Sequence, residues 1–150
     1  MPTPYTQRDP KWKDKPLDSS GLTVDLFGCL ALAVLHQCNR FEGKDHAPDF
    51  FVDWLNQNAG FTREGLFIWS KVAQWTNGRL RYLGSGLWAR LRKKYTLQQV
   101  AFGRFNHWVA RLPGRDVYDP WQGRVTQIVD GHIVIDGKPR KLLSNFRYLG

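Results

Sequence analysis

The chain has 150 residues, the size of one domain, and its 42% hydrophobic and 14% aromatic residues exclude a disordered chain. Its two cysteines are too few for a disulfide-framework miniprotein, and no apolar run approaches the roughly 18–20 residues of a membrane span. The formal net charge of +9 favours anionic partners such as nucleic acid, wall polymers or acidic lipid surfaces, although it also serves solubility alone.

The first 20 residues are polar and rich in proline, which predicts an extended N-terminal arm. Tyr5, Trp12 and Leu17 are the side chains that would attach this arm to the body of the protein. The first four residues carry neither the basic flank nor the apolar core of a signal peptide, so we expect no Sec-type export.

The segment from Val24 to Cys38 is apolar on nearly every face, and its alanines and leucines favour a helix over a strand. A helix of this kind belongs in the middle of a domain. Gly28 permits a sharp entry into the helix, which would place Cys29 in its first turn.

Two amphipathic helices are predicted next. Pro48 begins the first, which Gly60 ends, and the second runs from about Arg63 to Asn77. A third, short helix is predicted around Leu87, Trp88 and Leu91, and its exposed side carries four basic residues: Arg90, Arg92, Lys93 and Lys94.

From about Leu97 the pattern changes to strands. Pro113-Gly114 predicts one turn, and Asp130-Gly131 is a strong hairpin signal between the segments 123–128 and 132–135. Asp136-Gly137 and a final segment ending at Leu149 complete the pattern. Helices followed by an antiparallel sheet predict an α+β domain.

Cys29 is the most informative residue for chemistry. The first turn of a helix presents unpaired N–H groups and the positive end of the helix dipole, and both lower the pKa of a thiol. The alternative is a small buried hydrophobic residue, which is a common role of free cysteine.

His107 and Asp119 are a candidate base and its orienting acid. His107 opens an apolar strand and Asp119 ends the next one. If the intervening turn makes a hairpin, the carboxylate lies beside the imidazole and fixes its tautomer. In the alternative, Asp119-Pro120 is a turn and His107 an ordinary edge residue.

Four segments resemble the C39-like cysteine peptidases of the papain-like clan, especially short stand-alone bacterial and phage members. Residues 7–12 resemble the opening Gln-x-Asp-x-x-Trp of that family, and residues 27–33 resemble its Gly-Cys helix start. Residues 48–69 resemble the helical stretch that follows. Residues 107–109 and 117–123 resemble the His-containing strand and the Asp-Pro-x-x-Gly motif.

The resemblance implies a single papain-like domain over residues 1–150, with an N-terminal helical half packed on a C-terminal antiparallel sheet. It implies a cysteine peptidase or amidase that needs no cofactor or metal, with Cys29 as nucleophile, His107 as base and then acid, Asp119 as orienting group and Gln7 as oxyanion donor. The substrate would be a peptide bond in protein or in bacterial wall peptide, and the location cytoplasmic or virion-associated. Leu30 stands where transporter-linked members commonly have glycine, which argues against a double-glycine leader peptidase.

Several alternatives remain. A catalytically inactive protein of the same fold would bind an anionic polymer through Arg90, Arg92, Lys93 and Lys94, and a transferase would use an amine in place of water. His132 competes with His107 for the role of base, although its hairpin position favours an exposed role. His36 and Cys38 have no second ligand pair for a zinc site, and Cys38 is expected to be a structural thiol.

Overall fold

The structure, a computed structural model, describes all 150 residues. It contains five helices: α1 (Val24–Phe27), α2 (Cys29–Glu42), α3 (Pro48–Gln57), α4 (Ser70–Trp75) and α5 (Leu87–Arg92). The seven strands are β1 (Tyr82–Gly84), β2 (Tyr95–Phe102), β3 (Phe105–Arg111), β4 (Asp116–Asp119), β5 (Arg124–Gln127), β6 (His132–Ile135) and β7 (Lys138–Leu149). All pairings are antiparallel, in the order β1-β7-β2-β3-β4-β5, with β6 on the first part of β7. The predicted α+β class is confirmed.

The predicted central helix is present, and it is divided at Gly28 into α1 and α2. A Cβ atom on Gly28 would lie 2.6 Å from the carbonyl oxygen of Val24, so only glycine fits this junction. Cys29 is therefore the first residue of α2, as expected. Every residue from Ala31 to Asn39 is buried, which agrees with the apolar pattern on all faces of the helix.

Helix α2 is attached to the sheet by one buried amide. Gln37 Nε2 donates hydrogen bonds of 2.8 Å to the carbonyl oxygens of Thr96 on β2 and Arg111 on β3. Around this contact, buried side chains of α2, α3 and the sheet form the main hydrophobic core. A smaller core lies elsewhere on the sheet and consists of Val100, Val109, Val117, Ile133 and Ile135. The position of α2 over β3 fixes the first turn of the helix relative to the strand that carries His107.

The predicted helix from Pro48 is confirmed, but the helix predicted over 63–77 is wrong in its first half. Only Ser70–Trp75 is helical there. Phe61 and Phe67 instead form an antiparallel bridge around a turn in which Gly65 has φ +83°. The spacing of apolar residues predicted a helix here, but spacing alone cannot show that Gly65 adopts a left-handed conformation and turns the chain. The short predicted helix is present as α5, and Leu87, Trp88 and Leu91 are all exposed on it.

The turn after β3 is confirmed as the link between paired strands β3 and β4, with Ala110 opposite Tyr118. The Asp130-Gly131 turn is also present, with a single bridge between Val129 and His132. Beyond this bridge β5 and β6 do not pair, because β5 pairs with β4 and β6 with β7. The longer hairpin forms at Asp136-Gly137.

The N-terminal arm lies against the strands that carry the candidate site. Its residues 7–14 form turns rather than extended chain, and Trp12 and Leu17 are buried as expected. Gln7 N donates to Pro120 O at 2.8 Å, and the hydroxyl of Tyr118 donates to Tyr5 O at 2.5 Å. The arm therefore covers the end of β4.

None of the five helices has the length and apolar character that a bilayer crossing requires.

Candidate active site

Cys29 lies half-buried at the start of α2, where the N–H groups of a first helical turn have no partner within the helix. Burial by itself raises the pKa of the thiol. A hydrogen bond with His107 and the charge of its imidazolium act against burial, assisted by the backbone N–H groups of Trp108 and Leu30. The balance lowers the pKa of Cys29, which favours the thiolate.

His107 and Asp119 form a buried pair across the β3–β4 hairpin. His107 Nε2 lies 2.6 Å from Asp119 Oδ1, and their side chains are 3% and 0% exposed. Because Nε2 is occupied by the carboxylate, Nδ1 is the ring nitrogen left for Cys29. Burial alone would lower the pKa of His107, but the hydrogen bonds with Asp119 and Cys29 raise it to about 9. The pair is therefore a protonated imidazole next to a carboxylate.

Asp119 is itself held by two further donors. The backbone N–H of Trp121 donates to Oδ1 at 2.9 Å, and Gln122 Nε2 donates to Oδ2 at 2.8 Å. Burial raises the pKa of Asp119, whereas His107, Gln122 and the Trp121 N–H lower it, and the net direction is down. The carboxylate therefore stays charged and cannot rotate.

Gln122 is a supporting residue that the sequence argument did not identify. Its Nε2 also donates to Val134 O at 2.8 Å, and its Oε1 accepts from the backbone N–H of Asp136 at 3.2 Å. These bonds fix which end of the Gln122 amide faces Asp119. The only signal in the sequence was its position three residues after Asp119.

Aromatic rings pack behind the imidazole. Phe102 contacts His107 edge-on, with ring centroids 5.6 Å apart, and Trp121 contacts Phe102 edge-on at 5.4 Å. The guanidinium of Arg8 lies 4.5 Å from the Trp121 ring centroid, so the N-terminal arm closes this side. The imidazole is thus restricted to an orientation that faces Cys29.

Gln7 is buried beside the segment that precedes Cys29. Its Nε2 donates to Asp25 O at 2.9 Å and lies 3.5 Å from Val24 O, while its buried Oε1 has no partner. Gln7 is not among the residues that line the cleft at Cys29. The structure thus brings Cys29, His107 and Asp119 together and attaches Gln7 to the backbone of α1.

Cys29 opens into a cleft of about 490 Å³. Its walls are mainly apolar and come from α1, from the loop after α3 and from the β2–β3 turn: Leu26, Phe27, Leu66, Phe67 and Phe105. Four of these five side chains are more than one third exposed, so the cleft presents apolar surface to solvent. Glu64, Gln99, Arg104 and Asn106 supply polar groups. The cleft beside Cys29 is therefore a mainly apolar depression with a few polar groups in its lining.

The other candidate residues lie elsewhere. Cys38 is fully buried, and burial raises the pKa of its thiol. His36 is buried in α2 and stacks on Tyr118, with ring centroids 4.2 Å apart, and burial lowers its pKa to about 4. His132 Nδ1 lies 2.7 Å from Asp130 O within its own turn. No group of three or more histidines, cysteines or acidic residues is placed to hold a metal ion.

Comparison of the chain with protein-family models, curated proteins and solved structures finds no match. The function of the chain is therefore inferred from the geometry around Cys29.

Proposed function

We propose that the chain is a cysteine peptidase or amidase with a C39-like, papain-like fold. One observation carries this proposal: a cysteine with a lowered pKa begins a buried helix beside a histidine that a buried carboxylate holds in place. Acyl transfer requires a nucleophile in contact with a base, and a base in contact with an orienting group. Cys29, His107 and Asp119 are in contact in this order. A structural cysteine needs none of these contacts.

In the first half of the proposed reaction, the Cys29 thiolate attacks an amide carbonyl carbon and forms a C–S bond. The oxygen gains negative charge and accepts a hydrogen bond from the backbone N–H of Cys29. Gln7 is the second donor that the resemblance implies. Its Nε2 donates to Asp25 O at 2.9 Å and to Val24 O at 3.5 Å, so it would have to exchange the longer of these bonds for one to the oxyanion. His107 then gives its Nδ1 proton to the departing nitrogen as the C–N bond breaks.

In the second half, water attacks the thioester. His107 accepts the proton of the water and the C–S bond breaks, which releases the acid and restores the thiolate–imidazolium pair. Asp119 keeps Nε2 protonated throughout, so that Nδ1 alternates between acid and base. Atoms and charges balance without a metal or an organic cofactor.

The cleft supports a peptide with apolar side chains as the substrate. Burial of the exposed leucine and phenylalanine side chains around Cys29 against such a chain would contribute a binding free energy of about 25 cal/mol per Å² of apolar surface. Protein and bacterial wall peptide are the two proposed sources, and the net charge of +9 favours the second, whose polymers are anionic.

The test is digestion of a complex peptide mixture, with the products identified by mass spectrometry. The wild-type chain and a Cys38→Ala control should give the same cleavage products, and Cys29→Ala should give none. Cleavage that persists in Cys29→Ala contradicts the proposal. A parallel incubation with a primary amine distinguishes hydrolysis from transfer, because a transferase gives amine-conjugated peptides.

A further inference from the structure

A second concave site lies at the other end of α2 from Cys29. It has a volume of about 260 Å³ and lies between α2, the start of β2 and the end of β3. Four of its eight lining residues are cations, and none is acidic. We call these four the basic pocket: Arg40, Lys93, Lys94 and Arg111.

The two arginines of the basic pocket are half-buried and have no carboxylate partner. Arg40 Nη1 donates to Gln37 Oε1 at 2.6 Å, and Arg111 Nη1 donates to Gln98 Oε1 at 2.9 Å. Arg111 Nε is buried and has no acceptor at all. Burial lowers the pKa of both guanidiniums, offset only by Tyr95 at Arg40. Both charges are therefore partly removed from water without a counterion.

The two lysines at the rim are also without an acidic partner, since every ion pair of the structure involves other residues. Along the chain, residues 65–115 contain ten lysines and arginines and no aspartate or glutamate. The acidic residues that follow Arg40, which are Glu42 and Asp45, already have other partners: Arg79 and Lys44 for Glu42, and Thr3 for Asp45. Four cations around one concavity repel one another, and partial burial adds the free energy of removing their charges from water. A counterion from outside the chain would remove both costs.

We propose that the basic pocket binds a phosphoryl group that carries at least two negative charges, as in a phosphate monoester or pyrophosphate. A guanidinium matches two phosphate oxygens with two parallel N–H bonds, and a lysine adds a point charge. The pocket is smaller than the roughly 300–1,000 Å³ of typical small-molecule sites, so it fits the anionic group rather than a whole large ligand. A single carboxylate would leave most of the positive charge uncompensated.

The basic pocket is separate from the proposed catalytic site. Arg40 lies eleven residues after Cys29 on α2, which corresponds to about 16 Å along the helix axis. Anion binding in the basic pocket therefore does not require the Cys29 thiol, and a Cys29→Ala variant should bind the same anion with unchanged affinity.

The test is calorimetric titration of inorganic phosphate and pyrophosphate into the full chain at constant ionic strength. The decisive comparison is between Lys93→Gln/Lys94→Gln, in the pocket, and Arg90→Gln/Arg92→Gln, on the exposed helix beside it. Each double variant removes two positive charges from exposed side chains, so folding is expected to survive in both. An Arg111→Gln variant tests the contribution of the half-buried guanidinium that lines the basic pocket.

Saturable binding that weakens about tenfold or more in the pocket variant, and less than about threefold in the helix variant, supports the proposal. Equal weakening in both variants overturns it, because the binding is then general surface charge. No saturable binding of either anion also overturns it. If a single-stranded oligonucleotide binds and pyrophosphate does not, the surface binds nucleic acid and the pocket proposal is wrong.

A competition arm identifies the source of the group. Displacement of pyrophosphate by vesicles that contain phosphatidic acid supports the proposal with a lipid headgroup as the source. Persistence of pyrophosphate binding in the presence of such vesicles supports it with a free phosphate compound as the source.

Discussion

Replacement of Asp119 by asparagine tests how the candidate triad is held. Asp119 accepts hydrogen bonds on both oxygens, from His107 and Trp121 on Oδ1 and from Gln122 on Oδ2. Asparagine has one acceptor oxygen and one amide nitrogen, and either orientation places its nitrogen against a donor. If the Asn nitrogen faces Gln122, the two NH2 groups point their hydrogens at each other and repel. If it faces His107, Nε2 must accept the hydrogen bond, so the ring proton moves to Nδ1 and Nδ1 can no longer act as the base.

The magnitudes follow from these contacts. A buried hydrogen bond to a charged group contributes about 1.5–3 kcal/mol, and an unsatisfied buried donor costs about 1–3 kcal/mol. We expect Asp119→Asn to lower the free energy of unfolding by about 3 kcal/mol. An adjacent opposite charge shifts a pKa by about 1–3, so loss of the Asp119 charge should lower the pKa of His107. With less imidazolium beside it, Cys29 is less often a thiolate, and its alkylation at pH 6.5 should slow by about tenfold or more.

The assay is a double-variant cycle with Gln122→Ala, read by urea unfolding and by the alkylation rate of Cys29. In the wild-type background Gln122→Ala removes a donor from Asp119 and should cost about 1–2 kcal/mol. In the Asp119→Asn background no charged acceptor faces Gln122, so Gln122→Ala should cost at least about 1 kcal/mol less than in the wild type. The bonds of Gln122 with Val134 O and Asp136 N are lost in both backgrounds and cancel in the cycle. Additive costs in the two backgrounds would refute this description of the site.

Two further predictions concern the support of the site and its ionisation. Gly123→Ala should lower the free energy of unfolding by about 1–3 kcal/mol more than Gly114→Ala, because both have positive φ but only at Gly123 would a Cβ lie 2.6 Å from Thr6; equal urea midpoints contradict this. The contribution of His107 to stability is complete below its unfolded pKa of 6.5 and is lost as the pH rises through about 9, whereas that of Cys29, whose pKa is lowered, is lost as the pH falls. Cys29→Ser removes the opposing contribution and also part of what raises the pKa of His107. The stability of this variant should therefore begin to decline at a lower pH and fall by roughly 1 kcal/mol more than that of the wild type between pH 6.5 and pH 9. Parallel pH profiles of unfolding would show that the two groups are not coupled.

Local signals were sufficient to predict where Cys29, His107 and Asp119 lie. A glycine before an apolar segment indicated the start of α2, and a turn between two apolar segments indicated the β3–β4 hairpin. Each of these features depends on residues close together in the chain, so the sequence pattern contains it.

Features that depend on distant residues were not predictable. The role of Gln122 requires Val134 and Asp136, which arrive through the pairing of β6 with β7. The sequence predicted one basic cluster of Arg90, Arg92, Lys93 and Lys94 on the short helix, but α5 ends at Arg92 and Lys93 and Lys94 follow it. The basic pocket combines these two lysines with arginines from α2 and β3, whose proximity only the packing creates. The turn at Gly65 replaced a predicted helix because contacts with the rest of the fold override local spacing.

The rate of iodoacetamide alkylation against pH shows whether Cys29 is an activated thiolate paired with His107. Each cysteine is followed by peptide mass, with buried Cys38 as the internal control and His132→Ala as the matched control for His107→Ala. A thiol with the ordinary pKa of 9.0 is only about 0.3% thiolate at pH 6.5. We expect Cys29 to react at pH 6.5 at least about tenfold faster in the wild type and in His132→Ala than in His107→Ala, while Cys38 stays unmodified. If Cys29 stays inert until the protein unfolds, or reacts equally fast in His107→Ala, then Cys29 and His107 do not form a thiolate–imidazolium pair.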